Sequence, residues 1–344
     1  ILFIIVWIAP ETLFKIIRKI LEEHISYLTA LKLLILEIPK VLAKAIPVGI
    51  LLGSIFTFDR LSKNSELSIL RGIGLSFNRI MLPVIVFGFV LSIFCYTVND
   101  KLVPIASNKL GESRGGGSHF VYIVENKDKT PKQNIIVSNF TPNEIFDIKV
   151  LNFSNEKYTD ATMFKSIVFS PVATVKDGAW VLQDALVYMI DDEGIYTNVE
   201  RYKEYKILTE PNQAQEVFDL MLNTTRKERV FTNHQISKYS KLLKKANFSD
   251  EFRYFRAKLY QRYLHPLTCI LFAIIGCMLG FAPPRSQRLV GFTIAVGMMF
   301  GYYITLPFFD LLAQKAVLPP FLAAAAPIIM FIISIFIIKK AKDL

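Results

Sequence analysis

Four apolar runs without a formally charged residue constrain this chain more than any other feature. They lie at 80–98, 263–284, 289–309 and 316–338, and a fifth run at 41–58 carries only Lys44. A membrane-spanning helix needs about 20 mainly apolar residues, which each of these runs supplies or nearly supplies. The stretch 1–14 is apolar but shorter, and we expect it to be the remainder of a first spanning helix. The sequence therefore predicts a polytopic α-helical membrane protein with six spans, the first of them truncated.

The middle of the chain has a different pattern. Short segments rich in β-branched and aromatic residues alternate with turn signals such as Lys176-Asp177-Gly178, which is typical of β-strands. Seven candidate strands follow one another without a long helix between them, at 119–125, 134–139, 145–151, 163–175, 179–186, 187–191 and 202–208. We therefore predict one inserted all-β domain that resembles a sandwich or jelly roll. The predicted order is spans one to three in 1–99, the β domain in 100–250, and spans four to six in 251–344.

Positive charge is concentrated beside the apolar runs. The whole chain has 40 Lys and Arg against 29 Asp and Glu, whereas residues 101–250 hold 20 basic and 19 acidic side chains. Nucleic-acid binding would require a basic patch on the polar domain, which is the nearly neutral part. We therefore exclude nucleic acid as a partner, and anionic lipid fits the distribution better.

Lys and Arg in short loops indicate which side of the membrane each loop faces. If the C-terminal lysines are cytoplasmic, the loops 59–79 and 285–288 are cytoplasmic too, with nine basic residues inside against seven outside. This count predicts that the inserted β domain lies on the outer side. It also leaves a group of basic residues between the first two spans on the outer side, where the loop rule disfavours them.

The segment 15–25 has one apolar and one charged helical face. Lys15, Arg18 and Lys19 lie on the charged face. One interpretation is an interfacial continuation of the first helix, whose long side chains reach the headgroups of bulk lipid. The other is a site in which these three residues bind the phosphates of a particular lipid through charge-assisted hydrogen bonds. The residues by themselves leave both interpretations open.

The loop between the second and third spans contains a short helical pattern at about 62–74. Ser65 or Asn64 is a suitable N-cap, and Leu67, Ile69 and Leu70 would form the apolar side. Such a helix is either a simple connector or the element through which a separate cytoplasmic motor moves the spans.

Sequence motifs for nucleotide binding by a P-loop, zinc-dependent hydrolysis and dithiol redox chemistry are absent. The chain contains no GxxxxGK[ST], HExxH or CxxC pattern, and its four histidines lack metal-ligand spacing. We expect no catalytic residue, no metal site and no cofactor bound by this chain. His265-Pro266 indicates a kink at the start of a spanning helix, and Asp310 is interpreted as a helix-end residue.

Several short stretches together resemble the LptF/LptG family, the permease subunits of the lipopolysaccharide exporter. They are Ile17-Arg18-Lys19, Ile38-Pro39-Lys40, Arg60-Leu61-Ser62 with Ser65-Glu66-Leu67, Trp180-Val181-Leu182 to Gly194, Phe252 to Pro266, and Leu318-Pro319-Pro320-Phe321 to Pro327. The order of three spans, a β domain and three spans is the most specific element of this resemblance, which covers nearly the whole chain.

The resemblance implies an ABC transporter subunit of the bacterial inner membrane with a periplasmic β domain. Its cargo would be lipopolysaccharide or a related anionic glycolipid. Its partners would be an LptB-like ATPase dimer, a second LptF/LptG-type membrane subunit and an LptC/LptA-like periplasmic bridge. ATP and Mg²⁺ would be bound by the ATPase and not by this chain.

The resemblance also implies that Glu66 is the acid of the coupling helix and that Arg18 and Lys19 are the basic residues at the outer end of the first helix. We expect the cargo headgroup to be contacted by Lys15, Arg18, Lys19, Lys40 and Arg262. We expect coupling to the ATPase to involve Ser65, Glu66, Leu67, Leu70 and Arg71. The basic residues on the outer side would then have a physical cause, because the cargo is a polyanion.

Two other classes of function compete with this one. A non-transporting membrane scaffold or signalling protein, whose periplasmic β domain binds a partner, would share the same architecture. A lipid-modifying enzyme is disfavoured by the lack of a clustered nucleophile, base or metal set. Co-purification with an ATPase would separate a permease from a scaffold.

Overall fold

A computed structural model describes residues 14, 17–18, 20–21, 26–110, 117–126, 130–153, 164–176, 178–191, 195–210, 212–224, 226–281 and 289–341. Contacts divide the chain into a helical unit and a sheet unit. The helical unit comprises 1–112, 228–240 and 249–344, and the sheet unit comprises 113–227 and 241–248. Residues 100–109, which the sequence placed in the β domain, are helical and belong to the helical unit.

Helices make up most of the chain outside the inserted strands. In chain order they are α1 (Tyr27–Lys63), α2 (Glu66–Gly72), α3 (Phe77–Thr97), a π-helical turn (Val98–Leu102), α4 (Val103–Lys109), α5 (Gln213–Thr224), a 3₁₀ turn (Glu228–Val230), α6 (Asn233–Lys245), α7 (Ser249–Leu264), α8 (Leu267–Gly280), α9 (Leu289–Gln314) and α10 (Pro320–Ala341). The strands lie between α4 and α5.

Among the described residues, four helical stretches are long and apolar enough to cross a membrane: Tyr27–Lys63, Phe77–Lys109, Gly291–Gln314 and Pro320–Lys340. A fifth is added if α7 and α8 are taken as one span bent by 52°. The bend falls at His265-Pro266, because proline cannot donate the backbone hydrogen bond that would continue α7 into α8. The chain is thus a polytopic membrane protein, and the predicted run 1–14 lies outside the described residues apart from Phe14.

Helices α1 and α8 approach closely along two glycines. A Cβ atom on Gly276 would lie 2.7 Å from the backbone oxygen of Leu51, and one on Gly280 would lie 2.6 Å from that of Ile55. Two small residues four positions apart allow the backbones of membrane helices to come together in this way. The contact joins the parts of the helical unit before and after the strands through a tightly packed helix pair.

The sheet unit contains a six-stranded antiparallel sheet. Its strands are β1 (Gly117–Glu125), β2 (Pro131–Phe140), β3 (Ile145–Phe153), β4 (Phe164–Lys176), β5 (Ala179–Ile190) and β6 (Tyr196–Ile207). Each strand pairs with its neighbours in the chain, in the order β1-β2-β3-β4-β5-β6. The inserted all-β domain is therefore confirmed, while its connectivity is a meander that differs from the Greek-key order of a jelly roll.

Two of the seven candidate strands are parts of one strand in the structure. The segments 179–186 and 187–191 form the single strand β5, which passes through an unpaired residue, Asp184, with φ 49°. The register of β5 with β4 and β6 is the same before and after Asp184, and Leu186 and Val187 are both paired with both neighbouring strands, so the strand is continuous across the predicted boundary.

One face of the sheet is buried. Ile135, Val150, Val168 and Val187 occupy one cross-strand row and are at most 4% exposed. At one end of this sheet, the indole Nε1 of Trp180 donates a 2.9 Å hydrogen bond to the carbonyl oxygen of Ala214 in α5. The sheet unit thus has its own core.

Candidate functional site

A cavity of about 350 Å³ opens in the helical unit, near the end from which the chain leaves for the inserted strands. Its wall is formed by α1, the π-helical turn, α4, the segment 228–229, α7, α9 and α10. Charged residues are abundant in this wall. The basic ones are Lys40, Lys44, Arg229, Lys258 and Arg262, and the acidic ones are Glu228 and Asp310.

The remaining wall of the cavity is largely aromatic and aliphatic. Tyr302, Tyr303, Leu306 and Ile328 contribute from α9 and α10. The hydroxyl of Tyr303 donates to the carbonyl oxygen of Lys44 at 2.8 Å, which ties α9 to α1 at this level. A cavity with basic groups beside apolar ones matches an amphiphile with an anionic head.

Lys40 and Lys44 enter the cavity from α1, about one helical turn apart. The ammonium of Lys40 lies 3.1 Å from a carboxylate oxygen of Glu37, and the two side chains are 21% and 14% exposed. This pair orients Lys40 without removing it from the cavity, because an ammonium has three donors and one carboxylate does not occupy them all. Lys40 thus lines the cavity, and its predicted contact with a headgroup stays a prediction.

Arg262 also lines the cavity, but its guanidinium is largely engaged by the protein. It donates to the backbone oxygens of Glu228, at 2.7 Å, and of Phe231, and it lies 3.5 Å from the amide oxygen of Asn233. The backbone N–H of Asn233 donates in turn to Asp100 at 2.8 Å. Arg262 therefore holds the segment 228–233 against α7, and its predicted contact with cargo stays a prediction.

A largely buried ion pair crosses the cavity wall between α7 and α9. The ammonium of Lys258 donates to one oxygen of Asp310, and the amide of Gln261 donates to the other oxygen at 2.6 Å. The side chains of Lys258 and Asp310 are only 20% and 11% exposed. Asp310, interpreted from the sequence as a helix-end residue, lies in the last two turns of α9 and also binds two side chains of another helix.

The predicted basic cluster of the first helix is only partly described. Lys15 and Lys19 lie outside the described residues, while Arg18 is helical and exposed. Of the five predicted headgroup contacts, the structure brings Lys40 and Arg262 together in one cavity.

The predicted coupling element is the short helix α2, which runs from Glu66 to Gly72. Ser65 occupies the N-cap position with φ 61°, and its side chain makes no capping hydrogen bond. Glu66 is exposed and accepts a 2.9 Å hydrogen bond from the amide of Asn64. The prediction that α2 spans 62–74 was too long, because residues 62 and 63 still belong to α1.

One side of α2 is packed and the other is exposed. Leu67 is 1% exposed within a cluster with Phe58, Phe77, Met81, Cys277 and Met278, and Leu70 is half-buried. Ile69, predicted to belong to the apolar side, is 63% exposed, because a seven-residue helix presents only one narrow face to its neighbours. The guanidinium of Arg71 lies 5.4 Å from the ring centre of Phe281, at the end of α8.

The sequence reasoning missed several residues of the cavity. Lys44, Arg229, Lys258 and Gln261 were not predicted to bind cargo, although Lys258 lies four positions before Arg262. That spacing could have indicated that Lys258 shares a helical face with Arg262. Within the described part of the chain no group of three or more His, Cys, Asp or Glu could hold a metal ion.

A known protein family matches the chain along nearly its whole length. The family model described as "Lipopolysaccharide export system permease LptF/LptG" matches residues 1–340. No curated protein matches the chain significantly. The family match confirms the resemblance derived from the short motifs of the sequence.

Proposed function

Because the chain belongs to the LptF/LptG family of lipopolysaccharide export permeases, we propose that it is the membrane permease subunit of an ABC transporter. In this proposal it extracts lipopolysaccharide, or a related anionic glycolipid, from the bacterial inner membrane. The inserted β domain, on the periplasmic side, then passes the lipid toward the outer membrane. The family is a transporter family, and we assign no catalytic step to this chain.

The observation that carries the proposal is the cavity of the helical unit. Five basic side chains converge there next to the tyrosines and aliphatic residues of α9 and α10. Phosphate groups would meet ammonium and guanidinium donors, with which they form strong charge-assisted hydrogen bonds. The acyl chains would meet apolar surface. Lys40 and Arg262 would contact the headgroup in this cavity, and Lys15, Arg18 and Lys19 would contact it from the first helix.

The proposed partners follow from the helices and the family. An LptB-like ATPase dimer, with ATP and Mg²⁺, would dock on α2 at Ser65, Glu66, Leu70 and Arg71, and Leu67, which is 1% exposed, would serve the coupling by anchoring α2 to the spans. A second LptF/LptG-type subunit would complete the lipid chamber, and an LptC/LptA-like bridge would receive the lipid from the β domain. The exposed acid Glu66 beside the buried Leu67 supports this role for α2, because one residue can contact a partner while the other anchors the helix.

Transport by the assembled complex tests the proposal. The complex isolated with this chain would be reconstituted into vesicles, and ATP-dependent transfer of lipopolysaccharide to a soluble acceptor would be measured. We expect transfer to require ATP, and Lys40→Gln to lower it several-fold because a headgroup contact is lost. Lys339→Gln is the matched control, since Lys339 is an exposed lysine near the end of α10 and does not line the cavity.

The outcomes separate the proposal from its main competitor. A complex that contains no ATPase and moves no lipid would support a non-transporting scaffold instead. ATP-dependent transfer that Lys40→Gln leaves unchanged would retain the transporter and remove Lys40 from the headgroup site.

A further inference from the structure

The ion pair between Lys258 and Asp310 is built more tightly than a surface pair. Both oxygens of the Asp310 carboxylate accept hydrogen bonds, one from Lys258 and one from Gln261. The ammonium of Lys258 also lies 3.3 Å from the amide oxygen of Gln261 and 5.4 Å from the ring centre of Tyr254. Lys258 is therefore oriented by one acid, one amide and one aromatic ring.

Burial makes this pair costly to keep. The side chains are 20% and 11% exposed, and removing two charges from water carries a penalty that their attraction does not reliably offset. A pair of apolar residues would often hold two helices together as well. A nearby pair on the same helix, Arg253 with Asp250, has side chains 26% and 46% exposed, so water can stabilise its charges if the pair separates.

The position of the pair suggests why charge is retained. Lys258 and Asp310 both line the cavity that holds Lys40 and Lys44. A phosphate group carries about −1.5 to −2 charge at neutral pH and three acceptor oxygens. Placed beside Lys258, it would compete with the Asp310 carboxylate for the ammonium and repel that carboxylate at the same time.

We propose that Asp310 is a positioning residue that holds Lys258 while the cavity is empty and yields it to the phosphate of an anionic lipid. This rests on the proposed function, because it takes the ligand to be a phosphorylated glycolipid. Since Lys258 belongs to α7 and Asp310 to α9, the exchange links occupancy of the cavity to a contact between two helices of its wall. Asp310 acts through Lys258 and does not touch the lipid in the bound state.

The test is a double-mutant cycle on binding by the whole chain in detergent. The probes are phosphorylated lipid A and the same lipid with both phosphates removed. Asp310→Asn should bind the phosphorylated lipid about tenfold more tightly than the wild type, because no carboxylate has to be displaced. In a Lys258→Gln background the same substitution should gain less than about threefold, because only general repulsion is then removed. Binding of the dephosphorylated lipid should not change.

Controls distinguish the pair from a general charge effect. Asp250→Asn breaks the more exposed pair on α7 and should leave both affinities unchanged. Asp310→Glu keeps the charge and should stay close to the wild type. An Asp310→Asn variant with unchanged or weaker binding would overturn the inference, as would an equal gain in the presence and absence of Lys258.

Thermal unfolding shows whether Asp310→Asn folds, since it leaves a buried ammonium with fewer partners. If it does not fold, the variant Lys258→Gln/Asp310→Asn, which retains neither buried charge, replaces it. That variant should bind the phosphorylated lipid more weakly than the wild type and the dephosphorylated lipid equally well. If this double variant bound both lipids as the wild type does, the inference would be overturned and the proposed function would stand. A wild-type chain that binds neither lipid would overturn the inference and the proposed function together.

Discussion

The two ends of the helical unit are held together by different forces. At the cavity end, charged side chains cross between helices, as Lys258 with Asp310 and Arg262 with the segment 228–233 do. At the end that carries α2, apolar side chains fill the space, with Leu67 at the centre of a buried cluster. Apolar packing is dense and fixes one geometry. Hydrogen bonds and ion pairs can instead be exchanged for those of a ligand.

Under the proposed function, this difference suits a separate task at each end. A helix that receives force from a partner has to move as one body with the spans, and close packing provides that. A cavity that binds and releases an anion has to satisfy its basic side chains both when it is empty and when the anion is bound. The partners of these side chains in the two states therefore have to bind them about equally strongly. The comparison predicts that substitutions near α2 alter stability first, whereas substitutions of cavity lysines alter lipid binding first.

The largest expected effect is on stability at the α2 end. Leu67→Ala should lower the free energy of unfolding by about 2–5 kcal/mol, because it leaves a void in a buried cluster. Thermal or denaturant unfolding of the purified chain in detergent measures this. Ile69→Ala is the control on the same helix, and at 63% exposure it should change stability by less than about 0.5 kcal/mol. Equal effects of the two substitutions would show that α2 is not anchored by Leu67.

Much of this architecture could be predicted from the sequence, for a physical reason. Spanning helices are determined by the local absence of charge, so runs such as 80–98 and 316–338 were found correctly. The strands were found from local alternation, and the break at His265-Pro266 followed from the missing amide of proline.

The parts that were missed depend on distant contacts. Lys258 and Asp310 are 52 positions apart, and nothing in either local sequence indicates that they meet. The pairing of β5 is continuous from Leu186 to Val187, where the sequence suggested a boundary between two strands. Arg262 was predicted to contact the headgroup, and only the fold shows that backbone oxygens occupy its guanidinium. Charge and periodicity therefore identify the elements, while partner assignment requires the tertiary structure.

An intermediate effect on stability is expected for Arg262, at the cavity end of the helical unit. Arg262→Gln should lower the free energy of unfolding by about 1–3 kcal/mol, because backbone oxygens of the segment 228–233 lose their donor. Arg256→Gln is the control from the same helix, since its guanidinium bonds to a tyrosine hydroxyl one turn away. Unfolding and lipid A binding would be measured on both variants. If Arg262→Gln lost lipid binding at unchanged stability, Arg262 would be a headgroup contact and would not be what holds the segment 228–233 against α7.

The smallest effect on stability is expected for Glu66, although its effect on transport should be large. Glu66 is exposed, and its carboxylate accepts a hydrogen bond from the neighbouring Asn64, which lies two residues away in the chain. Glu66→Ala should therefore change the free energy of unfolding by less than about 0.5 kcal/mol.

If α2 docks on an ATPase, however, the same variant should reduce the amount of ATPase that co-purifies and the rate of lipid transfer. Glu66→Arg should reduce both further, because it would place a positive charge where the partner meets a negative one. Asp59→Asn, which alters an acid near the end of the neighbouring helix α1, controls for a general loss of negative charge. Normal ATPase recovery and lipid transfer with Glu66→Arg would mean that α2 is a connector whose packed side alone matters. The end of the helical unit that carries α2 would then be rigid without being the docking site, and the ATPase would act on the helical unit through other residues.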